Sequence, residues 1–234
     1  MASPQTPVAF DEQHAAAYDE RFAPIVAIRD ALHLQLRALL SVLPAQARLL
    51  CVGAGTGAEL VALAAHFPQW QFTAVEPSAP MLAVCRSRAT EGGFAERCTF
   101  HCGYLDSLPA GEPFHAATSL LVSQFITDPA ARRDYFRQIA TRLHPLGWLV
   151  SADLSGDQHA SDHARLEEVW FRLMKFTGQT DEQRAGTIAA WRKSVAFLPL
   201  PELEALIASA GFEAPTLFHQ ALLIRAWFTQ RRAG

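Results

Sequence analysis

Residues 49–60 read LLCVGAGTGAEL, and the fold turns on this stretch. An apolar run ends at Val52, three glycines follow at Gly53, Gly55 and Gly57, and Glu59-Leu60 opens helical spacing. Glycines at a strand–helix junction let a ligand approach the backbone, and the first helical turn offers it unpaired N–H groups. With Ala58 the stretch satisfies G-x-G-x-x-G/A, the dinucleotide-binding pattern. With Gly57 it also reads G-x-G-x-G. The turn alone leaves two ligand classes open.

Working outward, strands and helices alternate. Before the turn, Ile25, Ile28, Leu32, Leu36 and Leu39 form one helical stripe closed by Pro44. ARLLCVG is a buried strand, and Leu60, Leu63, Ala64 and Phe67 stripe the helix after it. WQFTAVE is a second strand ending at Glu76, and Ser78 can cap a helix carrying Met81, Leu82 and Cys85. RCTFHCG and FHAATSLLV are strands three and four. Asp128-Pro129 supplies an N-cap and first helical residue to Phe136, Ile139, Ala140 and Leu143. GWLVSADL is strand five. Such alternation gives a parallel sheet with helices on both faces. Beyond Leu154 the spacing predicts a long helix over 159–176, a polar break at 178–186, and a helix opened by Pro201 and stopped by Gly211. Extended stretches near 213–219 and 222–229 complete a seven-stranded sheet whose last strand runs antiparallel.

The chain has 234 residues, half of them hydrophobic, enough for one large α/β domain or two small ones. The reading preferred is one domain over 1–234, with a helical leader (about 1–45) and a helical cover (about 155–200). Net charge is −3, with no basic block beyond Arg231-Arg232. That disfavours nucleic acid as a partner. No window approaches a membrane span, and MASPQTPVAFDEQ lacks the character of a signal peptide. Cys51, Cys85, Cys98 and Cys102 form no C-x-x-C pair and read as reduced core thiols of a cytoplasmic protein.

Three observations bear on the ligand. A nicotinamide enzyme of this type normally carries a catalytic domain beside its nucleotide half, and too little chain remains after the βα units. Single-domain reductases use a Y-x-x-x-K pair, yet none of Tyr18, Tyr104 and Tyr135 has Lys four residues on. A helical leader also precedes the first strand, where a simple dinucleotide fold would begin at once.

Taken together, VGAGTG, AVEPSAPML, FHAATSLLVSQF, LHPLGWLVSADL and the AGF before the final strand pair resemble the class I S-adenosylmethionine (SAM) methyltransferases over nearly the whole chain. The resemblance implies a Rossmann-like fold with SAM as cofactor. It implies that Gly53, Gly55 and Gly57 admit the methionine and ribose portions, and that Glu76 accepts hydrogen bonds from both ribose hydroxyls. Ala54, Pro77 and Leu121 complete this set. GYLDSLP stands where the family often has G-D-A-x-x-L-P, with Tyr104 in place of the acid. Leu105 can still offer its backbone N–H to adenine, and Asp106 is either a contact to the exocyclic amine or a turn residue. HAAAYDERFAPI resembles a Y-D-x-R-F stretch laid over SAM by small-molecule members. Tyr18 would then lie near the sulfonium and Arg21 near the methionine carboxylate; otherwise the leader is an amphipathic helix with surface charges.

A methyl acceptor should meet Ser119–Phe125, Asp153 and the segments covering them, beyond the carboxyl ends of the strands. Alignment and exclusion of water supply most of the acceleration of methyl transfer; an oxygen acceptor also needs its proton removed. Tyr18, Asp153, His159 and His163 are the candidate bases, and Gln124 a residue that orients the acceptor. His159 and His163, four apart with Asp162 beside them, would share a helical face, but two histidines without a third ligand read as a solvated helix start, so no metal is expected. Trp170, Phe171, Met174 and Phe176 read mainly as core, with some walling an apolar acceptor pocket.

The sequence thus predicts a SAM-dependent methyltransferase acting on O or N of a small molecule, as monomer or homodimer. Three rivals stand beside it. LVSQF and AGFEAPTLFHQ also resemble the enzymes that carboxylate SAM for tRNA wobble-uridine modification, for which Arg21 or Arg225 would have to anchor the added carboxylate. The others are a non-catalytic SAM-binding protein and a nicotinamide oxidoreductase.

Overall fold

The computed structural model describes residues 23–175 and 180–233. Seven strands form one sheet in the order β3-β2-β1-β4-β5-β7-β6. They are β1 (Arg48–Val52), β2 (Gln71–Glu76), β3 (Cys98–Cys102), β4 (Phe114–Leu120), β5 (Leu143–Leu154), β6 (Thr216–Ala221) and β7 (Ile224–Gln230). β1 pairs in parallel with both β2 and β4, so strand order reverses between β1 and β4. Loops leave that point in opposite directions and open a crevice at the carboxyl ends. β7 is antiparallel to both β5 and β6, as the late strand pair predicted.

The helices are α1 (Val26–Leu40), α2 (Ala58–Ala64), α3 (Ala79–Glu91), α4 (Pro129–Arg142), α5 (Ser161–Lys175), α6 (Asp181–Ser194) and α7 (Leu200–Ser209). Alternate residues of β1 feed the two faces of the sheet. Leu49 and Cys51 join Leu36, Leu60, Leu63 and Trp70 on one side; Leu50 and Val52 join the opposite core with Phe136, Ile139, Leu203 and Ile207. Fully burying each such aliphatic side chain is worth ~1.5–3 kcal/mol. Two caps act as their residues dictate: Ser78 Oγ accepts from Met81 N (3.3 Å) and Asp128 Oδ1 from Ala131 N (2.7 Å).

The structure differs from the sequence reading in three places. The polar stretch thought to break the helical cover is helical from Asp181 onward, because Thr180 and Gln183 form a reciprocal capping box. Thr180 N donates to Gln183 Oε1 (2.8 Å) and Gln183 N to Thr180 Oγ1 (3.2 Å). β5 begins at Leu143, not Gly147, since Leu143 pairs with Phe114 while the chain after β7 is stitched to Leu146 and Gly147 by backbone hydrogen bonds. Finally, only Cys51 and Cys85 are core thiols. Cys98 is half-buried and Cys102 exposed, because β3 is an edge strand.

Candidate functional site

The turn after β1 folds back over β2. Gly53 N and Ala54 N both donate to Val75 O (2.8 and 3.1 Å), and all three glycines take left-handed φ values of 71°, 55° and 80°. They serve different ends. A Cβ on Gly53 would stand 2.3 Å from Val122 Cγ2, and one on Gly57 2.6 Å from Cys85 Sγ. Among the described residues a Cβ on Gly55 would meet only Met81 Cε, at 3.7 Å. Gly53 and Gly57 are therefore demanded by the protein's own packing. Gly55 is not crowded by the described residues.

Glu76 closes β2 against this turn. Its Oε2 accepts from Gly55 N (3.0 Å) and its Oε1 from Ser78 N (2.9 Å), with only 7% of the residue exposed. Burial pushes its carboxyl above the ordinary range, and the two backbone N–H groups pull it part of the way back. Each oxygen keeps a further lone pair, so two hydroxyl donors could still be received. The sequence placed Glu76 at this strand end but gave no sign that it also clamps the glycine turn.

Around this pair, Ala54 is buried and Pro77 exposed. Leu105 is buried in a 3-10 turn, its carbonyl held by Arg142 Nη2 (2.8 Å), while Tyr104 and Asp106 are exposed. Leu121 bends the chain out of β4 with φ 60°, its N donating to Ala152 O (2.6 Å), and so sets Val122 over Gly53. The turn, Glu76 and the Leu121-Val122 bend thus converge on one crevice. Tyr18 and Arg21 lie outside the described residues.

One strand over, the residues proposed as base and orienting group are held by the protein itself. Asp153 is 0% and Arg132 1% exposed, with Arg132 Nη2 3.5 Å from Asp153 Oδ1. Ser123 Oγ donates to Asp153 Oδ2 (2.8 Å) and Gln124 N to Asp153 Oδ1 (2.9 Å). Burial raises the Asp153 carboxyl, with Arg132 and the hydrogen bonds opposing that rise. Gln124 Oε1 accepts from Leu154 N (2.6 Å), and Gln124 O accepts from Ala196 N (2.8 Å). In this arrangement Asp153 and the Gln124 side-chain oxygen are engaged by the protein's own groups at the ends of β4 and β5. Arg132, which the sequence reading passed over, sits on the buried stripe of α4 with Phe136, Ile139 and Ala140. A cation at i with apolar residues at i+4, i+7 and i+8 was the available signal.

The two histidines part company. His159 is exposed in the turn before α5, its backbone N donating to Asp157 Oδ1 (2.9 Å). His163 is buried in the first turn of α5, edge-on to Phe197 at 5.1 Å. They do not share a helical face, because the helix begins after His159. Trp170, Phe171 and Met174 are core, packed with Ile25, Leu154, Val195 and Leu223 into an apolar cover at the end of β5 and the start of β7. Phe176 lies outside the described residues.

Residues 49–147 match the family model of the methyltransferase domain, a span holding the glycine turn, Glu76 and the Leu121 bend. This part of the chain is similar to that domain. The fold of the chain agrees. A Nostoc punctiforme protein assigned as an O-methyltransferase superposes with TM-score 0.67 at 18% identity, over 94% of this chain and 59% of its own. An O-methyltransferase family 2 protein from Planctomyces limnophilus, solved with apigenin, gives 0.64 at 17%, over 98% and 63%. The [4+2]-cyclase SpnF gives 0.64 at 16%, over 100% of both chains. The chain spans less than two thirds of the two O-methyltransferases, and at these identities the likeness is one of fold. No curated protein matches the sequence. Among the described residues no helix is long and apolar enough to cross a membrane.

Proposed function

We propose that this chain is a methyltransferase, which binds S-adenosylmethionine and directs its methyl group to an oxygen or nitrogen of a small molecule. The observation that carries the reading is the Glu76–Gly55 clamp. A buried carboxylate with spare lone pairs stands over the glycine of the turn whose Cβ the described residues would not crowd. The bound cofactor would supply a sulfonium-activated methyl group. Gly53, Gly55 and Gly57 would admit its methionine and ribose portions, and Glu76 would receive the ribose hydroxyls. Ala54, Pro77, Leu105, Asp106 and Leu121 would line the rest, with Tyr18 and Arg21 brought over the crevice by the leader.

The acceptor would enter over the ends of β4 and β5. The apolar cover of Trp170, Phe171 and Met174 would exclude water from that end of the sheet, and the buried Asp153–Arg132 pair would keep the rim rigid. With Asp153 and Gln124 committed to that rim, His159 and Tyr18 are the bases we assign to an oxygen acceptor; a neutral amine needs none. We take the chain as one functional unit, monomer or homodimer, working in the cytoplasm without nucleic acid.

The test is calorimetric titration of the wild type and Glu76→Ala with SAM, S-adenosylhomocysteine and NADH. Binding of both adenosyl ligands, weakened by the substitution, supports the reading; NADH binding alone would end it. The likeness to SpnF over both full lengths favours a second reading, in which this fold serves a reaction other than methyl transfer. Transfer of labelled methyl to an acceptor panel separates the two.

A further inference from the structure

Because β7 runs against β5, its first residues arrive at the rim where the parallel strands end, and Arg225 lies opposite Asp153 in the register. Asp153 is already matched to Arg132. Arg225 is only 8% exposed, yet among the described residues its one side-chain hydrogen bond goes from Nη1 to Ser155 O, its Nε has no partner and no carboxylate stands within ion-pair distance; Asp162 acts on it from farther off. The cost of burying the guanidinium outweighs the pull of that carboxylate, and a bound anion would relieve it.

His163 repeats the pattern beside it. It is 6% exposed, and its Nδ1 has no partner among the described residues. Gly156 lets the two approach one spot on the backbone. A Cβ there would be 2.7 Å from His163 Nδ1 and 3.4 Å from Arg225 Nη1. Both residues line a cleft of about 230 Å³ walled by Leu166, Pro199, Leu200 and Pro201. The first turn of the 15-residue helix α5 opens onto the same cleft and adds a partial positive charge. That volume is below the ~300–1,000 Å³ of a whole small-molecule site. It suits one substituent of a larger ligand.

We infer that this cleft is a subsite for the carboxylate of the methyl acceptor, with Arg225 as the charge partner and His163 as a second donor. The inference deepens the methyl-transfer reading and rests on it for the word acceptor. Asp157 and Asp162 stand exposed at the mouth and oppose a dianion, which favours a carboxylate over a phosphate. β7 lies two strand spacings from β4, ~10 Å. The acceptor is therefore a small acid whose methylated atom stands on the order of 10 Å from its carboxylate.

Titration of the full chain with benzoate, benzamide and inorganic phosphate tests this, read by calorimetry and by the His163 ring resonances. Benzoate should bind at least about tenfold more tightly than benzamide and shift those resonances, and phosphate should not bind. Arg225→Met should lose benzoate about tenfold or more while keeping its affinity for S-adenosylhomocysteine. Equal binding of acid and amide, an Arg225→Met chain that still holds benzoate, or phosphate binding in place of benzoate overturns the inference. Should Arg225→Met not fold, the wild-type acid-to-amide ratio and the His163 shift decide alone. The S-adenosylhomocysteine titration separates the two levels. Benzoate binding without it keeps the subsite and sinks the cofactor reading; the reverse sinks only the subsite.

Discussion

Replacing Gly55 and Gly57 by alanine, one at a time, separates what the turn owes to its own packing from what it owes to a ligand. Both residues have left-handed φ, which costs a residue bearing a Cβ ~1–2 kcal/mol. Losing glycine's freedom in the unfolded chain returns ~0.4–1 kcal/mol. At Gly55 nothing else opposes the methyl group, since Met81 Cε is at ordinary contact distance, so the net loss is about 1 kcal/mol. At Gly57 the new Cβ would also meet Cys85 Sγ at 2.6 Å and Cys85 Cα at 3.3 Å. Overpacking of that kind adds ~1–3 kcal/mol, for a total of about 2–4. For a chain of this size each kcal/mol lowers Tm by ~2–4 °C. Gly55→Ala should thus melt a few degrees below the wild type and Gly57→Ala about 5–15 °C below it. Affinity for S-adenosylhomocysteine should rank differently: Gly55→Ala, still folded, should lose at least about tenfold, because its methyl group projects into the ligand's approach. Scanning calorimetry and ligand titration on the same preparations measure both. A Gly55→Ala chain that binds like the wild type, or melts as low as Gly57→Ala, would refute the reasoning.

Other substitutions probe the carboxylates. Glu76→Gln should weaken S-adenosylhomocysteine about tenfold, and wild-type affinity should fall as pH drops through the raised Glu76 pKa; pH-independent titrations would count against the ribose role. Burial pushes Glu59 up to about 7, against bonds from Thr118 and Cys51 that lower it. The folded chain then holds this proton longer than the unfolded chain, so the stability Glu59 contributes is complete below ~4.5 and is lost as pH rises to about 7. Measured by urea unfolding as wild type minus Glu59→Gln, the change should be about 3 kcal/mol across that window, and a flat difference would reject it. Asp153→Asn should cost ~3–5 kcal/mol by stranding buried Arg132, and Arg132→Met with Asp153→Leu should recover most of it. A single variant melting like the wild type would mean that the pair does not hold the rim.

What the sequence disclosed follows from how local each signal is. The caps at Ser78 and Asp128 act within three residues, and both hold in the structure. The Thr180–Gln183 box is as local, but the surrounding polar residues masked it. The parallel sheet and its antiparallel last strand could be inferred from the strand–helix alternation and the late strand pair, whereas the strand order was not read. The Asp153–Arg132–Ser123 network joins residues far apart in the chain, and no spacing rule pairs them; Asp153 therefore read as a free base when it is a buried ion-pair member. His159 and His163 misled for a smaller reason. Helix starts are uncertain by a residue or two, and here that separates an exposed turn from a buried first turn.

The reversed direction of β7 has an evolutionary consequence. In a wholly parallel sheet each residue at the ligand rim arrives by way of a crossover helix. Here the two-residue turn at Leu222-Leu223 delivers Arg225 to the rim directly, and that turn is roofed by the cover from α5. The stretch from Ser155 to Arg225 can therefore vary as a cassette. Under the proposed reading, descendants could exchange one acceptor for another there while Gly53, Gly55 and Gly57 in the turn after β1, and Glu76 at the end of β2, stay as they are.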